Sequence, residues 1–118
     1  MEKILINNSG RTISIDAKQT GFFRRGFGLI FRGRNTENLV FDFKKEVYRR
    51  GALTSFFVFF NFLAIWLDNK NEVVEWRICK PFEPRIMPKN NFQKIVEIPF
   101  NRKNEEIIRF FVGKNGKI

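Results

Sequence analysis

The sequence predicts a mainly β protein, α+β at its margin: a single-domain β-sandwich or partly closed barrel of seven to eight short strands with one or two short helices. Three observations carry this expectation. Apolar and polar residues alternate with period two in short windows, as in Ile13 and Ile15 against Thr12, Ser14 and Asp16, and in Val74, Trp76 and Ile78 against Glu75 and Arg77. Clusters of Asn, Asp, Ser, Gly and Pro separate those windows. The length of 118 residues, 43% of them apolar and 29% charged, fits one domain (1–118) with a core of its own rather than a disordered chain.

Each element follows from local chemistry. Residues 3–7 and 12–17 read as two strands, and Asn7, Asn8, Ser9 and Gly10 supply the turn of a hairpin. The next stretch, QTGFFRRGFGLIFRGRNTEN, holds four glycines. Thr20 is a candidate cap for a short helix over 21–26, because each interior glycine costs a longer helix about 1 kcal/mol relative to Ala. Residues 38–43 form a strand with Leu39, Phe41 and Phe43 on one face, and residues 46–50 read as a polar loop or edge. Residues 55–60 and 62–68 form two apolar strands, or one strand bent at Asn61. Asp68, Asn69, Lys70 and Asn71 then turn the chain into a strand over 72–80. Pro81, Pro84 and Pro88 mark an irregular crossing segment, and a strand over 92–98 is stopped by Pro99. Asn101 or Asn104 caps a helix over 105–111, with Glu105 and Glu106 in its first turn. The tail VGKNGKI closes with a turn and a last short strand.

Composition excludes several function classes. The chain has no His, which removes the commonest general acid/base and the commonest metal ligand, and no Ser-His-Asp or Cys-His arrangement can be built from it. Its one cysteine, Cys79, excludes an internal disulfide and a cysteine zinc cluster, and reads as a small apolar filler in a strand. No cofactor or metal site is implied. The uncharged run from 51 to 67, GALTSFFVFFNFLAIWL, lies at the lower length limit of a spanning helix, with Arg49 and Arg50 before it and Asp68 after it. Its Phe, Val, Ile and Trp content and the interruptions at Gly51, Thr54, Ser55 and Asn61 favour a buried strand pair, so no membrane is favoured as a partner. The N-terminus carries no secretory leader or lipidation signal, and a cytoplasmic location is expected.

Charge is the remaining signal. The net charge is +10, from 22 Lys and Arg against 12 Asp and Glu. An Asn-, Ile-, Lys- and Phe-rich composition of the kind an AT-rich genome encodes accounts for part of it. The local excess is sharper: between Lys18 and Arg50 stand nine basic residues against Glu37, Asp42 and Glu46. A field of that sign attracts polyanions or phosphorylated ligands.

At the level of motifs, GLIFRGR at 28–34 resembles the GLMFR signature of the family called domain of unknown function 192, also uncharacterised protein family 0127. SFFVFFNFLAIWLDNKNEVVE at 55–75 is similar to that family's T-F-F-M-R-F-P-I-D-V-V-F-L-D-K-D-G-K-V-V pattern. KPFEPRIMPKN resembles its Pro-rich crossing segment, and IVEIP at 95–99 its V-L-E-L-P strand. The resemblance covers about residues 20 to 100. It implies a small β-rich, sandwich-like fold and no particular activity, and it singles out Gly28, Leu29, Arg32, Ser55, Phe57, Asp68 and Glu97. The chain departs from the pattern where Thr54 and Ser55 replace His or Lys and then Asn or Thr, and where Asn61 and Leu63 replace Pro and Asp. A polar site built on that Asp has lost its carboxylate here.

The function expected from these readings is a non-catalytic binding or interaction module, with Arg24, Arg25, Arg32 and Arg34 around the glycine-rich segment as candidate anion-binding residues. A nucleic-acid-binding protein using residues 18–50 is the sharper alternative, with Phe22, Phe23, Phe27 and Phe31 available to stack on bases. An enzyme would have to rely on carboxylates such as Glu75, Glu83 and Glu97, which no spacing pairs. A membrane-embedded protein through 51–67 is the last class. Oligomeric state has no signature in the sequence.

Overall fold

The computed structural model describes residues 2–19, 33, 35–47, 60–82, 86 and 88–113, with only the backbone for 44–47. Six strands form one sheet: β1 (Glu2–Asn8), β2 (Arg11–Gln19), β3 (Leu39–Val47), β4 (Phe62–Leu67), β5 (Val73–Cys79) and β6 (Phe92–Pro99), in the order β1-β2-β3-β6-β4-β5. A 3-10 turn (Arg102–Asn104) leads into one helix, α1 (Glu105–Val112). The mainly β expectation therefore holds as a curled half-barrel rather than two facing sheets. The seven to eight strands expected become six among the described residues. The expected strand over 55–60, the helix over 21–26 and the short strand in the tail fall outside them.

The β1–β2 hairpin follows from its turn. Asn8 pairs with Arg11, which leaves a two-residue loop. Ser9 and Gly10 sit at φ 53° and 85°. Two positive φ values give the turn whose twist matches a hairpin, and glycine takes this conformation without cost. The Gly10 N–H donates to Asn7 Oδ1 at 3.0 Å.

Strand β4 is the centre of the sheet. It pairs antiparallel with β5 on one side and β6 on the other, and all six of its residues are buried. Leu63, Ile65 and Leu67 face one cluster, with Ile4, Ile6, Ile15, Ala17, Val40, Val96 and Ile98. Phe62, Ala64 and Trp66 face the other, with Leu39, Phe41, Phe60, Cys79, Ile86, Phe92 and Ile95. A strand covered on both faces reads as an unbroken apolar run, which is why FLAIWL also resembles part of a membrane span. Of the run 51–67, residues 62–67 form a strand hydrogen-bonded on both edges, as the favoured strand reading expects and unlike the spanning-helix alternative. No helix among the described residues is long and apolar enough to cross a membrane.

The curl of the sheet brings its two ends together. Asn7 of β1 forms an isolated parallel bridge with Glu72 beside β5, and the Asn7 N–H donates to the Asn71 carbonyl at 3.0 Å. Helix α1 packs into the inner cluster through Ile107, Ile108 and Phe111. The Phe111 ring meets Trp76 of β5 at 6.0 Å, and the Arg11 guanidinium lies 4.6 Å from the centre of the Phe110 ring. Both expected caps take part, in different roles. Asn101 Oδ1 accepts from the Asn104 N–H at 3.1 Å and caps the 3-10 turn. Asn104 precedes α1, makes no side-chain cap bond to the helix, and instead donates from Nδ2 to the Pro99 carbonyl at 2.8 Å.

Of residues 46–50, read as a loop or edge, Glu46 and Val47 are described, and among the described residues they have a strand neighbour on one side, as an edge does. Strand β3 continues through Val47, which pairs with Phe92 after a shift in register beyond Asp42. Between Asp42 and Val47 the chain takes three more steps than β6 does, an irregularity that does not end the strand.

Replacing Ile65, fully buried in the central strand, by Ala should cost about 2–4 kcal/mol in urea unfolding. Leu5→Ala, at a side chain 62% exposed, should stay within about 0.5 kcal/mol of the parent protein.

Candidate binding clefts

Of the residues singled out from the sequence, Arg24, Arg25, Arg32, Arg34, Gly28, Leu29, Ser55 and Phe57 lie outside the described residues, as do Phe22, Phe23, Phe27, Phe31 and Glu83. Asp68 and Glu97 are placed, and the sheet keeps them apart.

Asp68 is a turn residue. Its Oδ1 accepts from the Lys70 and Glu72 backbone N–H groups at 2.8 and 2.9 Å, and its own N–H donates to the Glu72 carbonyl. This short-range bonding organises the β4–β5 connection and allows Asn71 its φ of 62°. Glu97 is 3% exposed, on the face of β6 that carries Ile95 and looks into the outer cluster. Leu63, where the resembled family has Asp, is fully buried in the inner cluster, so this position serves packing. Cys79 is buried in the outer cluster, in keeping with a filler role.

The carboxylates considered for catalysis do not form a pair. Glu75 stands opposite Trp66 and Glu97 opposite Ala64, on strands either side of β4. Two strand spacings and a two-residue offset put their backbones about 12 Å apart. Glu75 is occupied by Arg77 at 2.9 Å and by the Lys89 backbone N–H at 2.8 Å. Among the described residues, no group of three or more acidic, Cys or His side chains is arranged to hold a metal.

The residues from 33 to 38 have a clear local role. Strand β3 joins β2 in parallel only at Lys18–Leu39 and Gln19–Val40, the last residues of one strand beside the first of the other. The two ends of the glycine- and arginine-rich stretch, Gln19 and Leu39, therefore lie on neighbouring strands. Three contacts clamp these strands there: Lys18 N–H to the Asn38 carbonyl at 2.8 Å, Asn38 Nδ2 to the Asp16 carbonyl at 2.9 Å, and Lys18 with Glu37 at 3.7 Å. The ion pair is exposed and contributes little, so the backbone and amide bonds hold the clamp.

Two clefts flank this region. One, of about 420 Å³, lies between β2 (Ser14, Asp16), the clamp (Asn35, Glu37, Asn38) and the start of α1 (Lys103, Glu106, Ile107). The other, of about 300 Å³, opens at the end of the half-barrel beside Glu2, Gln19, Asp42, Asn71 and Lys94. There Lys94 Nζ donates to Asn71 Oδ1 at 2.6 Å. Neither cleft was legible in the sequence. The first draws on three segments far apart in the chain, and no motif links them.

No family model and no curated protein matches the chain. Among solved structures, it is similar to a candidate transcription regulator from Sinorhizobium meliloti 1021, with 15% identity and a TM-score of 0.62 over 87% of this chain and 81% of that one. It is also similar to a protein of unknown function from Novosphingobium aromaticivorans DSM 12444, with 11% identity and a TM-score of 0.57 over 89% and 76%. At these identities the likeness is one of fold. It carries no specific function to this chain.

Asp68→Ala should lower stability by about 1–2 kcal/mol in chemical denaturation, the loss of two turn hydrogen bonds. A turn role alone predicts that ligand binding by the folded variant is unchanged.

Proposed function

We propose that the chain is a small cytoplasmic, non-catalytic module that binds a phosphorylated or polyanionic ligand through Arg24, Arg25, Arg32 and Arg34. The observation that carries this reading is the way charge is sorted along the chain. The six strands and α1 hold eight basic and eight acidic residues, so this framework is neutral. The other fourteen basic residues stand in the segments outside it, against Glu37, Asp68, Glu72 and Glu83. A compositional bias spread evenly would load the framework as well. The four arginines also lie in sequence between Gln19 and Leu39, the paired ends of β2 and β3. Arginine presents paired donors that match phosphate oxygens.

The resemblance to domain of unknown function family 192 belongs to the same proposal. It adds Gly28, Leu29 and Arg32 within that stretch and says nothing of the ligand.

Fluorescence anisotropy with labelled single-stranded RNA, single-stranded DNA and a labelled nucleotide, repeated across a salt series, tests the reading. Saturable binding is expected at low salt. If the ligand is a nucleic acid contacted by all four arginines, log Kd against log salt should have a slope near 3. A nucleotide-sized ligand should give a shallower slope. Replacing the four arginines together by Ala should remove most of the affinity, whereas Arg102→Ala with Arg109→Ala, outside that stretch, should not. Absence of saturable binding to all three ligands at low salt ends the proposal.

A further inference from the structure

Strand β2 is paired unequally on its two edges. Toward β1 it is bonded from Arg11 to Ala17, and toward β3 only at Lys18 and Gln19. Among the described residues its second edge therefore has no strand partner from Thr12 to Asp16, and only the Asp16 carbonyl is taken, by the Asn38 side chain. The direction of the backbone groups there follows from two bonds. The Asp16 carbonyl accepts from Asn38 Nδ2, and the Lys18 N–H donates to the Asn38 carbonyl, so both point away from β1. In an antiparallel pair this direction recurs every second residue, so Ser14 and Thr12 also turn their N–H and C=O groups to the open edge. An edge of this kind is a template for another strand.

The open edge forms one wall of the 420 Å³ cleft, and the start of α1 forms the other. Four residue steps from Thr12 to Asp16 span about 13 Å, the length of a five-residue extended segment. Among the described residues the cleft is acidic in a chain of net charge +10: Asp16, Glu37 and Glu106 line it against Lys103. Glu37 is engaged by Lys18, which leaves the exposed Asp16 and Glu106 to face an occupant. Ile13 and Ile107 supply apolar surface between them. Asn38, on the same wall, is 8% exposed, and its Oδ1 has no hydrogen-bond partner.

We propose that this cleft docks an extended basic peptide, which adds a strand to the open edge of β2. The peptide backbone bonds to Ser14 and its neighbours, its Lys or Arg side chains face Asp16 and Glu106, and its intervening apolar side chains cover Ile13 and Ile107. Main-chain bonds then supply affinity, and the two carboxylates select charge. The ligand proposed here is opposite in sign to the polyanion.

The test uses the full chain and a fluorescein-labelled hexapeptide of alternating Lys and Val. Controls are the same peptide with its backbone amides N-methylated, and a Glu–Val counterpart. Saturable binding of the Lys–Val peptide is expected, at least tenfold weaker after N-methylation and undetectable for Glu–Val. Slowed hydrogen exchange at the Ser14 amide should accompany binding. Asp16→Lys with Glu106→Lys, both exposed and tolerant of change, should weaken the Lys–Val peptide at least tenfold and leave polyanion binding no weaker. Equal affinity for the N-methylated peptide, unchanged exchange at Ser14, or full affinity in the double variant overturns the proposal. So does sedimentation showing that the protein alone self-associates and that Ser14→Pro abolishes this, which would assign the edge to a second copy of the chain.

Discussion

The structure depends on keeping β4 dry on both faces. Its Leu63, Ile65 and Leu67 and its Phe62, Ala64 and Trp66 belong to different clusters, so covering one side of the sheet is not enough. A flat sheet with one helix would leave one set in water. Curling solves the inner side: β1 and β2 swing round until Ile4, Ile6 and Ile15 meet the inner residues of β4 and β6, and α1 adds Ile107, Ile108 and Phe111. Burial of each large aliphatic side chain is worth about 1.5–3 kcal/mol. The contact between Asn7 and Glu72 is the point at which the curl joins the two edge strands.

The same curl creates the site features. To reach across the inner cluster, β2 diverges from β3 after only two paired residues. The divergence opens the edge from Thr12 to Asp16 and leaves room for the start of α1 beside it. The clamp made by Lys18, Glu37 and Asn38 holds the point of divergence.

Much of the framework was legible because it is encoded locally. Ser9 and Gly10 announce a two-residue turn, Asp68 to Asn71 another, and the alternation from Val74 to Ile78 marks β5. The end of the sheet at Pro99 and the start of a helix near Glu105 also follow from neighbouring residues. The membrane-like run was ambiguous for a physical reason: a strand buried on both faces and a spanning helix both lack charge. The strand read over 38–43 runs on to Val47, because pairing with β6 carries the polar residues Lys44 to Glu46 in the strand. The cleft carried no signal at all, since Ser14, Asn38 and Glu106 are ordinary exposed or capping types in their own segments.

By itself the sequence determined the class of fold, the turns, the strand-rich core and the absence of histidine and disulfide chemistry. These depend on residue types and on spacing over a few positions. It also determined that the positive charge is most concentrated between Lys18 and Arg50. Tertiary structure decided that there is one curled sheet rather than two, that Leu63 serves packing, that Asp68 is a turn residue, and that β2 keeps an open edge beside three carboxylates. Those outcomes depend on which strands become neighbours, and neighbours are chosen by burying β4 on both faces at once.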